Sequence, residues 1–288
     1  MKIIGGSSSL PLAAKVAVEL DVPYVPAVFE KSSGGFPDGE QYVRLQGDVA
    51  AEHVVILAST RPDRLLIELL LLQDAARHAG AREVTSFIPY FSYARQDKVF
   101  ETGEALSARA VARAVGAHSD RVLTLGMHNR ETLRYFPCPA EDVSGMPAIA
   151  RYFRDRSLDL ILAPDDGAIG HAEEIGKILG LPWDHLEKER IDAHTVRLLP
   201  RSVAVVGKRV GLVDEVISTG GTIATAAAHL RSSGATYVAA ACLHGVFAGP
   251  ALERLKACDD VACSDTVPGP MTKFTVAGEI AAALKRWR

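Results

Sequence analysis

Residues 210–225, reading V-G-L-V-D-E-V-I-S-T-G-G-T-I-A-T, constrain the fold more than any other stretch of the chain. The short apolar run 210–213 has the character of a buried parallel strand. Two adjacent carboxylates, Asp214 and Glu215, follow it. After the spacer Val216-Ile217 come Ser218, Thr219, Gly220, Gly221 and Thr222, and then a small-residue helix pattern over 223–230. Strand, acidic pair, glycine loop and helix together specify a βα unit whose strand end is a ligand position. Adjacent glycines let backbone N–H groups approach an anion, and the helix N-terminus adds partial positive charge. The hydroxyls of Ser218, Thr219 and Thr222 suit phosphate oxygens. The acidic pair would repel phosphate, so it faces sugar hydroxyls or a cation. Alone, a T-G-G-T is as well explained by a turn with Thr219 or Thr222 as helix N-cap. Two carboxylates at a buried strand terminus need a partner, which favours a sugar-phosphate loop. No Gly-Lys-Ser/Thr follows, so this is not the Walker phosphate loop.

Around this unit the chain alternates strand and helix. Strand patterns begin at Ile3-Ile4 and recur over 22–29, 53–59, 83–89, 121–125, 159–163, 183–187 and 237–244. Helix patterns cover 11–19, capped by Ser9 or a neighbour, and 63–79, 104–116, 146–153, 168–179, 250–257 and 276–285. The proline-bearing segment 138–147 reads as a domain junction. The expected fold is α/β: two doubly wound α/β domains with the active site in the cleft between them. Domain one is 1–140, joined by the C-terminal helix 274–288, and domain two is 141–273.

Composition limits the function classes. The 288 residues suit one large or two medium domains, and a net charge of −3 gives no bulk attraction for nucleic acid. The longest apolar run, 65–72, is interrupted by Glu68 and is too short to span a bilayer, so no membrane partner is expected. Cys138, Cys242, Cys258 and Cys263 form no C-x-x-C pair, which suits a reduced, cytoplasmic location.

Other strand ends carry chemistry of their own. The turn-rich S-S-G-G-F-P-D-G-E over 32–40 offers Phe36, Asp38 and Glu40 to a base or ribose, or is a hairpin turn. Y-F-S-Y-A-R-Q-D-K over 90–98 sets Arg95 and Lys98 beside three aromatics, fitting a base and a polyphosphate as readily as a solvated loop. His128 lies just past the strand 121–125, and Asp165-Asp166-Gly167 repeats the acid-then-glycine pattern after the strand 159–163. In the polar loop 188–194, Lys188 and Arg190 stand two apart, so in extended chain they share one side.

Taken in order, these motifs resemble the ribose-phosphate pyrophosphokinase (phosphoribosyl pyrophosphate synthetase) family over nearly the whole chain. The segments are F-P-D-G-E at 36–40, P-Y-F-S-Y-A-R-Q-D-K at 89–98, A-P-D at 163–165, K-E-R at 188–190 and V-D-E-V-I-S-T-G-G-T at 213–222. The compact length and the I-S-T-G-G-T loop resemble archaeal-type members. The resemblance implies transfer of the β,γ-diphosphoryl group of ATP to the 1-hydroxyl of ribose 5-phosphate. It implies ATP binding by Phe36, Asp38, Glu40, Arg95, Gln96, Asp97 and Lys98. Ribose 5-phosphate would be held by Asp214, Glu215, Ser218, Thr219, Gly220, Gly221 and Thr222. Mg²⁺ would be organised by His128 and Asp165, catalysis would rest on Lys188 and Arg190, and a homo-oligomer, dimer or hexamer, is implied. The chain departs from the family pattern at Gly126, where Asp is usual, and at Glu215, also usually Asp. Two other functions compete: a non-catalytic regulatory homologue, and a phosphoribosyltransferase that consumes phosphoribosyl pyrophosphate. The second explains 210–222 but not the Arg-Gln-Asp-Lys run.

Overall fold

The computed structural model describes residues 1–30, 36–190, 196–200 and 204–287, with the side chains of 187–190 and 196–200 outside the description. The chain divides into two compact units, Met1–Ser144 with Val276–Arg288, and Gly145–Thr275.

The first unit contains β1 (Lys2–Gly5), α1 (Leu10–Leu20), β2 (Tyr24–Val25), β3 (Ala27–Val28) and β4 (Arg44–Leu45). It continues through β5 (His53–Leu57), α2 (Asp63–His78), β6 (Glu83–Ile88), α3 (Ser107–Gly116), β7 (Arg121–Leu125) and β8 (Ala140–Val143). Its main sheet has the order β2-β1-β5-β6-β7-β8, parallel throughout. The apolar runs read from the sequence are the buried strands: β5 has no exposed residue. Three local readings change. The single strand expected over 22–29 is broken at Pro26: β2 joins the main sheet, while β3 pairs antiparallel with β4. Proline has no N–H to continue a ladder. The helix expected from 104 begins only at Ser107. The segment read as a pure junction contains β8, and the units meet between Ser144 and Gly145.

Buried polar residues lock this unit where periodicity alone shows nothing. Gln73 of α2 is fully buried and donates through Nε2 to Ser86 Oγ and Ser119 Oγ, each at 2.9 Å. Glu68, also buried, accepts from Ser7 N at 2.7 Å. Ser9 does stand at the N-cap of α1, yet its side chain makes no cap bond; its Oγ accepts from Ser59 N instead. The C-terminal helix, which packs on α1, returns to this unit from the far end of the chain.

The second unit contains α4 (Met146–Arg154), β9 (Leu160–Ala163), α5 (Ile169–Leu179), β10 (Trp183–Arg190), β11 (Val196–Pro200) and β12 (Arg209–Ile217). Then follow α6 (Gly221–Ser232), β13 (Tyr237–Gly245), α7 (Ala251–Arg254), β14 (Asp260–Ser264) and β15 (Thr272–Phe274), before the chain returns to the first unit as α8 (Ala277–Lys285). The sheet order is β11-β10-β9-β12-β13-β14-β15, antiparallel only between β10 and β11. The strand at 183 runs three residues further than expected, and the sequence reading missed β14 and β15. A run of only four small or apolar residues between Asp260 and Asp265 hid β14, whose inner positions Val261 to Ser264 are buried. The strand order reverses between β9 and β12, and such a reversal opens a crevice at the carboxyl ends of the strands. Asp165 and the loop after β12 both lie at that reversal.

Candidate active site

The glycine loop is built on β12, which is longer than its apolar run. Asp214 and Glu215 lie inside the strand rather than after it: Asp214 is opposite Cys242 and Ile217 opposite Gly245 of β13. On the other side, pairing with β9 stops at Leu212. The acidic pair therefore keeps strand geometry on one edge and faces the crevice on the other. Asp214 Oδ1 accepts from Glu215 N at 2.7 Å. Burial pushes the Asp214 carboxyl up to about 7, and the neighbouring charges of Asp165 and Glu215 push the same way. That brings Asp165, at the end of β9, into electrostatic contact with Asp214. Asp165 Oδ1 accepts from Gly167 N at 3.1 Å.

The loop that follows is held from behind. Ile217 O accepts from Phe247 N, Ser218 O accepts from Ala248 N at 2.9 Å, and Arg254 Nη1 donates to Thr219 O at 3.1 Å. Gly220 is the N-cap of α6, at φ 72°, and no side chain caps it. Neither Thr219 nor Thr222 takes that role, so the first-turn N–H groups remain donors for an anion. A Cβ at Gly220 would be strained by its φ and would sit 3.2 Å from Ala251 O. Ser218 and Thr222 border the same turn, with Thr222 exposed.

In the first unit, the loop after β6 is tied to the loop after β5. Ser92 N donates to Thr60 Oγ1 at 2.8 Å and Ser92 Oγ to Thr60 O at 2.9 Å. The three aromatics separate. Phe91 is 5% exposed and packs edge-on against Phe136 at 5.6 Å, so it belongs to the core and not to a base site. Tyr93 stands at φ 65° and donates to Asp63 Oδ1 at 2.8 Å. A non-glycine residue there stores strain of a kind that clusters at binding segments. Arg95 and Lys98 are exposed. Asp97 Oδ2 accepts from Asn129 Nδ2 at 2.6 Å, which joins this segment to the His128 turn.

His128 itself follows β7 through Gly126, at φ 62°. Asp142 of β8 secures the turn: its Oδ1 accepts from Met127 N and Thr124 Oγ1, both at 2.8 Å, and its Oδ2 from Arg130 Nε at 3.3 Å. Burial raises the Asp142 carboxyl, with those bonds opposing it. The sequence reading missed the roles of Asn129, Asp142 and Glu104.

Phe36 and Glu40 line a cavity of about 420 Å³ with Ser7, Ser8, Phe29 and Arg64. Arg95, Gln96, Asp97 and Lys98 do not line it, so the residues expected at ATP fall at two places in the first unit. Asp38 Oδ1 accepts from Glu40 N at 3.2 Å and shapes the turn. Lys188 and Arg190 lie in β10, opposite Leu198 and Val196, and their side chains lie outside the described residues. Among the described residues, no three His, Cys, Asp or Glu side chains converge as a metal cluster, and no helix is long and apolar enough to cross a membrane. The described cysteines are all free thiols.

A strand with an acidic pair, an uncapped glycine turn and a helix at the sheet reversal define a phosphoribosyltransferase-type α/β protein. Residues 144–277 match the phosphoribosyl transferase domain, and residues 1–117 match the N-terminal domain of ribose phosphate pyrophosphokinase. A ribose-phosphate pyrophosphokinase of Methanopyrus kandleri is 40% identical over 99% of both chains. One of Pyrococcus furiosus is 45% identical over 85% of this chain and 88% of its own. The crystal structure of phosphoribosylpyrophosphate synthetase from Mycobacterium smegmatis superposes with a TM-score of 0.84, at 29% identity, over 99% of this chain and 98% of that one. The chain belongs to the ribose-phosphate pyrophosphokinase family.

Proposed function

We infer that this enzyme transfers the β,γ-diphosphoryl group of ATP to the 1-hydroxyl of ribose 5-phosphate, giving phosphoribosyl pyrophosphate and AMP. The observation that carries this reading is the uncapped turn at Gly220 that follows the strand bearing the acidic pair, in a chain whose first 117 residues match a pyrophosphokinase domain. That match favours the kinase over a transferase that consumes the product.

The 5-phosphate docks on the N–H groups of the α6 first turn and on Ser218, Thr219 and Thr222. Asp214 and Glu215 accept from the ribose 2- and 3-hydroxyls, which orients the 1-hydroxyl. Arg95, Gln96, Asp97 and Lys98, with Phe36, Asp38 and Glu40, serve ATP; Asp97 does so by holding the segment on Asn129. Lys188 and Arg190 supply positive charge to the group in transfer, which needs positioning and neutralisation more than covalent help. His128 and Asp165 fit a Mg²⁺ role. A partly exposed carboxylate beside the raised Asp214 is the donor chemistry a hard cation selects, and few protein ligands are needed when phosphates supply the rest. Bound Mg²⁺ would offset the negative charge of the phosphates. The four free thiols fit a reducing compartment such as the cytoplasm. A homo-oligomer, dimer or hexamer, is proposed, and light scattering measures it.

The test is a product assay. Purified protein with ATP, Mg²⁺ and ribose 5-phosphate should form AMP and phosphoribosyl pyrophosphate in equal amounts. No AMP across varied metal and phosphate would refute the reading. Lys188→Ala with Arg190→Ala should lower turnover far more than ATP affinity, whereas equal loss of both would assign the pair to structure.

A further inference from the structure

Gln96 sits in the ATP segment, and its side chain is already partly committed. Its Nε2 donates to Lys98 O at 3.0 Å and to Glu104 Oε2 at 3.2 Å. Both partners can only accept. The amide must therefore turn its NH2 toward them, whichever way its oxygen and nitrogen are assigned. Two acceptors use both hydrogens. No described donor reaches Oε1, so the one hydrogen-bonding group left on this side chain is a carbonyl oxygen.

Glu104 holds this arrangement. Its Oε2 also accepts from Phe100 N at 2.7 Å and from Glu101 N at 3.2 Å. Three donors thus converge on one carboxylate oxygen just before α3. Those backbone bonds keep the Glu104 carboxyl below its ordinary range, so it stays an ionised acceptor. The turn it closes, residues 98–104, carries exposed Val99 and Phe100 and does not pack into a core. Gln96 O accepts from Ala108 N at 3.2 Å, which fixes the backbone of the same residue to α3. A surface turn organised around one carboxylate, with its large apolar side chains exposed, is explained by what it orients.

We propose that Glu104 is a positioning residue that makes Gln96 a pure acceptor, so that Gln96 reads a hydrogen-bond donor on the nucleoside of the diphosphoryl donor. Two donors share that chemistry: the exocyclic amino group of adenine and a ribose hydroxyl. An acceptor facing the amino group discriminates against a purine with a carbonyl there, because two acceptors face each other and neither is satisfied. An amide free to rotate would accept either purine. The inference rests on the proposed role of Gln96 in ATP binding.

The experiment measures equilibrium binding of ATP, ITP and 2′-deoxy-ATP by calorimetry to wild type, Glu104→Ala, Glu104→Gln, Gln96→Leu and the double variant Gln96→Leu/Glu104→Ala. ITP replaces the amino group with a carbonyl, and 2′-deoxy-ATP removes a ribose donor. Wild type should favour ATP over one of the two analogues, and Glu104→Ala should reduce that preference about tenfold. Glu104→Gln, which keeps an acceptor oxygen, should restore part of it. Gln96→Leu should abolish the preference, and adding Glu104→Ala should change it no further. Circular dichroism shows that each variant folds. A merely structural Glu104 would weaken all three nucleotides equally, and that result overturns the proposal. So does a Glu104→Ala effect on the preference that persists with Leu at 96. If wild type binds ATP and makes product but Gln96→Leu leaves every affinity unchanged, the proposal fails while the diphosphokinase reading stands. If wild type binds no nucleotide, both fail together.

Discussion

Replacing Asp214 with Asn should stabilise the second unit while impairing it. The Asp214 carboxyl rises from 3.8 to about 7 on folding, chiefly through burial. At about 1.36 kcal/mol per pKa unit, this corresponds to about 4 kcal/mol. A folded pKa raised above the unfolded one means that the folded state binds the proton more tightly. The associated stability is therefore fully present below pH 3.8 and is lost as pH rises through about 7. Asn is nearly the shape of the protonated acid, and its Oδ1 still accepts from Glu215 N. The Asn variant should be more stable by about 1 kcal/mol at pH 4.5, where the unfolded carboxyl is already largely ionised, and by about 4 kcal/mol at pH 8. With m of roughly 2 kcal/mol/M in urea, that is a midpoint shift of about 2 M. The assay is urea unfolding followed by Trp183 fluorescence, with Trp287→Phe in both proteins so that only the second unit reports. In the same variant, affinity for ribose 5-phosphate should fall at least about tenfold, because a hydroxyl donor loses a charged acceptor. A stability difference that is the same at pH 4.5 and pH 8 would refute the burial argument. So would a wild type that is the more stable protein at pH 8.

Three further substitutions probe the supports of the site. Gly220→Ala should cost roughly 1–2 kcal/mol from its left-handed backbone and raise the KM for ribose 5-phosphate while leaving that for ATP unchanged, as steady-state kinetics would show. Asp142→Ala strands the Met127 N–H and the Thr124 hydroxyl beside β8, so thermal unfolding should report a loss of about 2–4 kcal/mol, with Asp142→Asn milder. Gly211→Ala puts a methyl group 2.7 Å from Leu158 Cδ1 and 3.2 Å from Phe153 Cε2, so denaturant titration should show a loss of about 1–3 kcal/mol without a change in the residues of the 218–222 loop.

Much of the architecture was legible because local patterns carry it. Buried parallel strands are nearly continuous apolar runs, and β5, β7, β9 and the first half of β12 were found that way. The helix signals at 63 and 146 placed α2 and α4 within a residue. Reading failed where sheet pairing, packing or a turn contact overrides the periodic pattern. The acids Asp214 and Glu215 read as the end of a strand, yet β13 holds them inside it. Glu104 fits a helical period with Ala105 and Ala108, yet its carboxylate is drawn back to the N–H groups of Phe100 and Glu101. Phe91 read as a base-site aromatic beside Tyr90 and Tyr93, and it is buried because Phe136, distant in sequence, lies over it.

The order of motifs is a property of the sequence. A glycine pair after an acidic strand, an Arg-Gln-Asp-Lys run and the alternation of strand with helix require only neighbours along the chain, so the family resemblance is visible in the letters. Which groups remain free to meet a ligand is a tertiary matter. Asp97 is held by Asn129, Gln96 has spent its hydrogens on Lys98 and Glu104, and Asp214 feels Asp165 across the sheet reversal. Hydrogen-bond capacity and charge are divided by side-chain geometry, and no periodic pattern records that division. The turn at Gly220 shows both contributions: the sequence supplies its residues, and the fold leaves its helix uncapped.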